Sequence, residues 1–165
     1  MHVKNAHKTK QCWLLWIVLC LNVSAGIGVL GVASPMFQEV AVNVFDQGQI
    51  VAIAAGFVAL LSLSNILGRI FWASSSDYLG RKNTYFIFFA LGFLMYVSSP
   101  WAGSTGNIPL FALIFCIILT MYGGGFATIP AYLADIFGTQ HVGAIHGRLL
   151  TAWATGGILG PMLVF

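Results

Sequence analysis

The chain has 165 residues, 59% of them hydrophobic and only 7% charged, with a formal net charge of +3. A typical soluble domain is nearer a quarter charged, so a water-soluble fold of this length could not cover its surface. The small charge sits in a few clusters rather than on a basic face, which excludes nucleic acid as a partner and leaves the lipid bilayer as the solvent.

Residues 1–12 form a tail that carries Lys4, Lys8 and Lys10 ahead of an apolar stretch. The stretch is too long for a signal-peptide core, and no small-residue cleavage site follows it, so it reads as a retained helix. Apolar segments then span residues 13–36, 50–73, 84–102, 108–133 and 149–165. A hydrocarbon core of ~30 Å needs ~20 helical residues. The first four segments meet that length; the fifth has 17 residues and no polar tail, and is expected to be cut off at the C-terminus. Backbone polar groups in lipid must be paired within the segment, and the alternating pattern of a membrane barrel is absent. The expected fold is all-α: a polytopic membrane protein of five transmembrane helices.

The intervening loops are short. Residues 38–49 carry Glu39 and Asp46, residues 74–83 carry Asp77, Arg81 and Lys82, residues 103–107 are small and uncharged, and residues 134–148 carry Asp135, His141, His146 and Arg148. Trp13, Trp16, Trp72 and Trp101 lie near segment ends, as interfacial aromatics do. The tail and the second and fourth loops hold six basic residues against none in the first and third. This bias leads to the expectation that the N-terminus faces the cytoplasm, and the chain is expected to be a multi-pass protein of the cell (inner) membrane. His141 and His146, in a loop, are expected to be solvated rather than proton-coupling.

Cys12, Cys20 and Cys116 lack metal or disulfide spacing and read as small core residues. No nucleophile–base pair, phosphate loop or metal cluster is visible, so the expectation is a non-enzyme with no cofactor and no metal. Gly26, Gly28 and Gly31, then Gly123 to Gly125, then Gly156, Gly157 and Gly160 thin three of the segments. They serve either close helix packing or, with Pro130 and Pro161, helix flexing.

The seventh basic residue, Arg69, lies inside the second segment, roughly four residues from its end and so ~6 Å deep. It either snorkels to the interface or anchors an anion in a cavity. Ser62, Asn65, Arg69 and Trp72 recur at three- and four-residue spacing and share one helical face, which should meet protein or water. The second loop reads Asp77-Tyr78-Leu79-Gly80-Arg81-Lys82. On spacing alone it is either an ordinary charged loop or a built turn, in which Gly80 takes positive φ and Arg81 forks to a carboxylate.

The Asp-x-x-Gly-Arg-Lys pattern between two membrane helices resembles the cytoplasmic signature of the major facilitator superfamily. Ala73 stands where the full pattern has glycine and Tyr78 where a basic residue often follows, departures that favour the weaker second-half copy. Gly68 to Trp72 with Ser76-Asp77, the run from Gly123 through Pro130 to Thr139, and Gln11 to Trp16 are similar to the oxalate/formate antiporter family. The resemblance covers nearly the whole chain and aligns its segments with helices seven to eleven, a partial major facilitator fold. It implies a secondary active antiporter, moving a small organic anion by alternating access, whose missing N-terminal half is a partner.

The resemblance also implies candidate residues. For anion binding these are Arg69, Asn65, Trp153, Tyr122 and Asn22; for the conformational motif, Asp77, Gly80, Arg81, Lys82 and Asp135. Arg81 and Asp135 are expected to pair across the cytoplasmic face. The family's oxalate carrier uses a second cation, a lysine, in its eleventh helix, but here Trp153 takes that position. A monocarboxylate such as formate, lactate or pyruvate is therefore expected over oxalate. The reading from another class is a small oligomerising membrane protein with a structural or regulatory role.

Overall fold

The computed structural model describes residues 2–42 and 44–164. Met1, Asn43 and Phe165, assigned from sequence to the tail, the first loop and the end of the last helix, lie outside the described residues. A single helical turn, α1 (Val3–Ala6), precedes the long helices α2 (Lys10–Ala41), α3 (Gln47–Leu79), α4 (Arg81–Ser104), α5 (Ile108–Phe137) and α6 (Val142–Val164). A 3-10 turn, Thr139–His141, leads into α6, and no strand occurs among the described residues. The chain is a polytopic all-α membrane protein, as its apolar runs require.

Each long helix begins earlier or ends later than its apolar run. Apolarity marks the layer that lipid touches, whereas a helix continues into the headgroup region until a cap stops it. Thr9 Oγ1 caps α2 by accepting from the Cys12 N–H at 3.4 Å, and Asn107 Oδ1 caps α5 by accepting from the Leu110 N–H at 3.1 Å. The predicted second loop is nearly all helix, and α3 and α4 meet at Gly80 alone. Its φ of +82° lets the chain reverse in one residue, while its N–H donates to the Ser76 carbonyl at 3.1 Å. Gly138, at φ +81°, ends α5 the same way, its N–H on the Ala134 carbonyl at 2.9 Å.

Among the described residues, four helices are long and apolar enough to cross a membrane: α2, α3, α4 and α5. Helix α6 is long enough, at 23 residues, but His146, Arg148 and its glycines dilute its apolarity. It lies along α2, and α3 lies along α5; these are the two most extensive helix pairings. Helices α2 and α5 are half buried over their apolar windows and form the centre, while α4, only 17% buried, is peripheral.

Small residues set both close pairings. On α6, Gly156 and Gly160 are four apart and face α2: a Cβ at Gly156 would lie 2.9 Å from the Cys20 carbonyl oxygen, and one at Gly160 2.9 Å from the Gly28 nitrogen. This is the small-xxx-small contact that brings membrane helices together by dispersion. Between α3 and α5, Gly68 abuts the Thr120 backbone, Gly123 the Asn65 carbonyl and Gly124 the Trp72 side chain. Gly31 has open space around it and Gly157 only a loose contact with Ile27, so of the glycines singled out in these helices most, not all, mark close packing.

Hydrogen bonds pin the packing where carbon alone would slide. Trp16 donates from α2 to Thr151 Oγ1 on α6 at 2.9 Å, and Trp72 from α3 to Thr120 Oγ1 on α5 at 3.2 Å. Both tryptophans lie near segment ends in the sequence, and their N–H groups bridge helices, because an unpaired donor in lipid is costly. Tyr96 ties α4 to the Ala25 carbonyl of α2 at 2.8 Å. At the opposite end from the lysines, Phe37, Phe57, Phe111 and Phe115 cluster between α2, α3 and α5, Phe37 stacked on Phe57 and Phe115 edge-on to it.

Candidate functional site

The basic residues gather at one end of the bundle, where α2 and α4 start and α6 receives the tail. Arg148 donates to the Val3 carbonyl at 3.3 Å and lies 3.4 Å from His7 Nδ1, clamping the tail onto α6. At the α3–α4 junction Arg81 is largely buried. Its Nε is 3.4 Å from Asp135 Oδ2, its Nη1 bonds Ser76 Oγ and reaches the Ala73 carbonyl at 3.5 Å, and its Nη2 pairs with Asp77. One guanidinium thus ties the ends of α3, α4 and α5 together, and Gly80 sets its direction. Lys82, the next residue, points elsewhere and has no ion pair among the described residues.

The carboxylates of Asp77 and Asp135 are more than half exposed, which limits each pair to a small contribution. Asp135→Asn is therefore expected to lower the detergent melting temperature by about a degree or less. Arg81→Ala, which also strands Ser76 and the Ala73 carbonyl, is expected to lower it several-fold more. Circular dichroism melts of the two variants check the ordering; equal losses would contradict it.

Arg69 sits four residues before the end of its apolar run at Ala73 and ten before the end of α3 at Leu79, the helix continuing past that run. Its Nε donates to Asn65 Oδ1, one turn earlier, at 3.2 Å. Its Cζ lies 5.9 Å from the centroid of the Phe126 ring of α5, close enough for a cation–π contact. With Tyr122 and Phe126 of α5 and Trp153 of α6, it lines a cavity of about 150 Å³. Among the described residues neither Nη nitrogen has a hydrogen-bond partner and no carboxylate pairs with this arginine. The arrangement is a guanidinium with one edge committed to an amide, its face on an aromatic ring and its remaining donors free. Such a fork matches a carboxylate.

Of the candidates for binding, the structure brings Arg69, Asn65, Tyr122 and Trp153 together and leaves Asn22 apart. Asn22, on α2, is buried against Gly125 with Oδ1 unpaired, and it lines a separate cavity of about 370 Å³. Tyr122 stands between the two cavities, its ring seated over Gly26, where a Cβ would overlap it. Phe126 was missed from sequence. It lies four residues after Tyr122, on the same helical face, and that spacing could have found it. His146 was expected to be a solvated loop residue. It lies instead in the first turns of α6, its Nδ1 buried and its ring edge-on to Phe126 at 6.0 Å, because α6 starts well before its apolar run.

Comparison with known proteins bears on this geometry. The Major Facilitator Superfamily profile matches residues 2–161. The chain is 29% identical over 157 residues to an oxalate:formate antiporter of Oxalobacter formigenes, an alignment that covers 93% of this chain and 35% of that protein. It is 24% identical over 149 residues to the uncharacterized MFS-type transporter YhjX of Escherichia coli (strain K12), covering 90% of this chain and 35% of that one. The chain thus spans about a third of the length of these curated relatives. No solved structure gives a significant match.

Proposed function

The chain belongs to the Major Facilitator Superfamily, and from that premise we propose that it forms one wall of a secondary transporter carrying a small organic monoanion by alternating access. The observation that carries this reading is Arg69: a cation inside a membrane helix, free of any carboxylate among the described residues, facing a small cavity walled by Tyr122, Phe126 and Trp153. An ionisable group at that depth is costly unless a function requires it. The similarity to an oxalate:formate antiporter of Oxalobacter formigenes supports a carboxylate as cargo. In this reading the long helices correspond to helices seven to eleven of the transporter, the lysine-bearing end faces the cytoplasm, and Arg81 with Asp77 and Asp135 steadies one state of the cycle. The remaining wall comes from another part of the transporter.

Trp153 shapes selectivity. It is half exposed beside Arg69 and offers no counter-charge, so the second carboxylate of oxalate would lie unpaired against an indole. Formate, lactate and pyruvate need one cation only. Line broadening of ¹³C-labelled anions on titration with the detergent-solubilised chain is expected to show pyruvate and formate binding ahead of oxalate. Trp153→Lys is expected to reverse that order. Oxalate preferred by the unaltered chain would refute the assignment.

A further inference from the structure

A second site lies on the other side of Tyr122 from the Arg69 cavity. Between α2 and α4 run two cavities of about 310 and 370 Å³ that share Phe89 as a wall. Together they form one groove, extending along α2 from Gln11 to Ala25, fourteen residues or ~21 Å. One leaflet of a bilayer core is ~15 Å deep, so the groove runs from headgroup level to beyond the midplane. Its sides are Leu14 and Leu21 of α2 and Phe86 and Phe93 of α4, all exposed.

The polarity of the lining is asymmetric. Apolar side chains dominate the groove, and its one cation, Lys82, stands with Gln11 at the end where the helices start. Lys8 and Lys10 flank an adjoining depression, which shares Leu14 with the groove and is floored by Trp13 and Ile17. Unlike Arg81, each of whose three nitrogens is engaged at the helix junction, Lys82 has no ion pair among the described residues. A basic mouth between two membrane helices above an apolar channel is the chemistry that holds an acidic lipid headgroup with its acyl chain. A helix laid in the same groove would press on an unpaired ammonium, whereas a phosphate neutralises it.

We infer that this groove binds one anionic phospholipid, its phosphate against Lys82 and Gln11 and an acyl chain lying past Phe86 and Phe89 towards Gly92. This inference is independent of what the Arg69 cavity carries. The test is native mass spectrometry of the full chain released from nanodiscs of equal phosphatidylglycerol and phosphatidylethanolamine. The expected result is a single retained phosphatidylglycerol in several-fold excess over phosphatidylethanolamine. Lys82→Gln alters an exposed side chain and is expected to cut phosphatidylglycerol retention about fivefold, the effect of one basic residue at a membrane surface, and to leave phosphatidylethanolamine unchanged. Gly92→Phe, with helicity checked by circular dichroism, should reduce retention of both lipids. Equal retention of the two lipids, or no response to Lys82→Gln, would overturn the assignment. So would disulfide cross-linking of Leu14→Cys on one copy to Phe86→Cys on another, which would make the groove a seat for a second copy.

Discussion

Arg69→Gln is expected to abolish measurable anion binding, with affinity falling at least thirtyfold and the fold intact. A hydrogen bond between a guanidinium and a carboxylate is worth ~2 kcal/mol, and each ~1.4 kcal/mol is a factor of ten. The side chain is exposed within the chain and makes one hydrogen bond, to Asn65, so its removal costs little packing. Arg69→Lys should do better than glutamine yet fall about tenfold short of the native residue. It keeps the charge but loses the planar fork and the fixed bond to Asn65. The same ¹³C titrations measure both variants, and melting temperatures in detergent report the fold. Undiminished binding by Arg69→Gln would remove the basis for placing the anion here.

The largest effect on stability is expected from Gly68→Ala, with Gly56→Ala on the same helix as its counterpart. Alanine is the better helix former by ~0.8–1.0 kcal/mol, so propensity alone predicts that both variants gain. Packing reverses the sign at one position. A Cβ at Gly68 would run into the backbone of Thr120, which cannot rotate away, whereas nothing lies within 4 Å of one at Gly56. Overpacking costs ~1–3 kcal/mol even where side chains can give, and here α3 must move off α5 along its main contact. Gly68→Ala should therefore lower the detergent melting temperature by several degrees or prevent recovery of folded protein, and Gly56→Ala should leave it unchanged or raise it. Gly123→Ala adds a functional readout. Its Cβ would displace Asn65, the residue that orients Arg69, so anion affinity should fall along with stability. Equal melting temperatures for Gly56→Ala and Gly68→Ala would show that the α3–α5 contact is looser than described.

Much of the Arg69 site was legible beforehand because helical periodicity is local. Asn65, Arg69 and Trp72 share a face whatever they pack against, and a lone arginine in an apolar run stands out against its neighbours. The separate placement of Asn22 has the opposite origin. A polar residue inside a membrane helix signals that it avoids lipid, not which cavity it meets, and Tyr122 over Gly26 walls it off from Arg69. His146 was misplaced because an apolar run shows where lipid begins, not where the helix does.

Amino-acid order was enough to show that lipid is the solvent, that the chain crosses it as helices, and that six of the seven basic residues share one side. Each of these follows from transfer energies and backbone hydrogen bonding summed along a segment, without reference to its neighbours. Only the tertiary structure decided that α3 pairs with α5 and α2 with α6, that Gly68 and Gly160 are contacts while Gly31 is not, and that Arg69 closes a cavity with Trp153 from a distant segment. Those outcomes depend on surface fit between helices far apart in sequence. In lipid, where apolar faces gain nothing merely by leaving the solvent, that fit rather than hydrophobicity selects the partner.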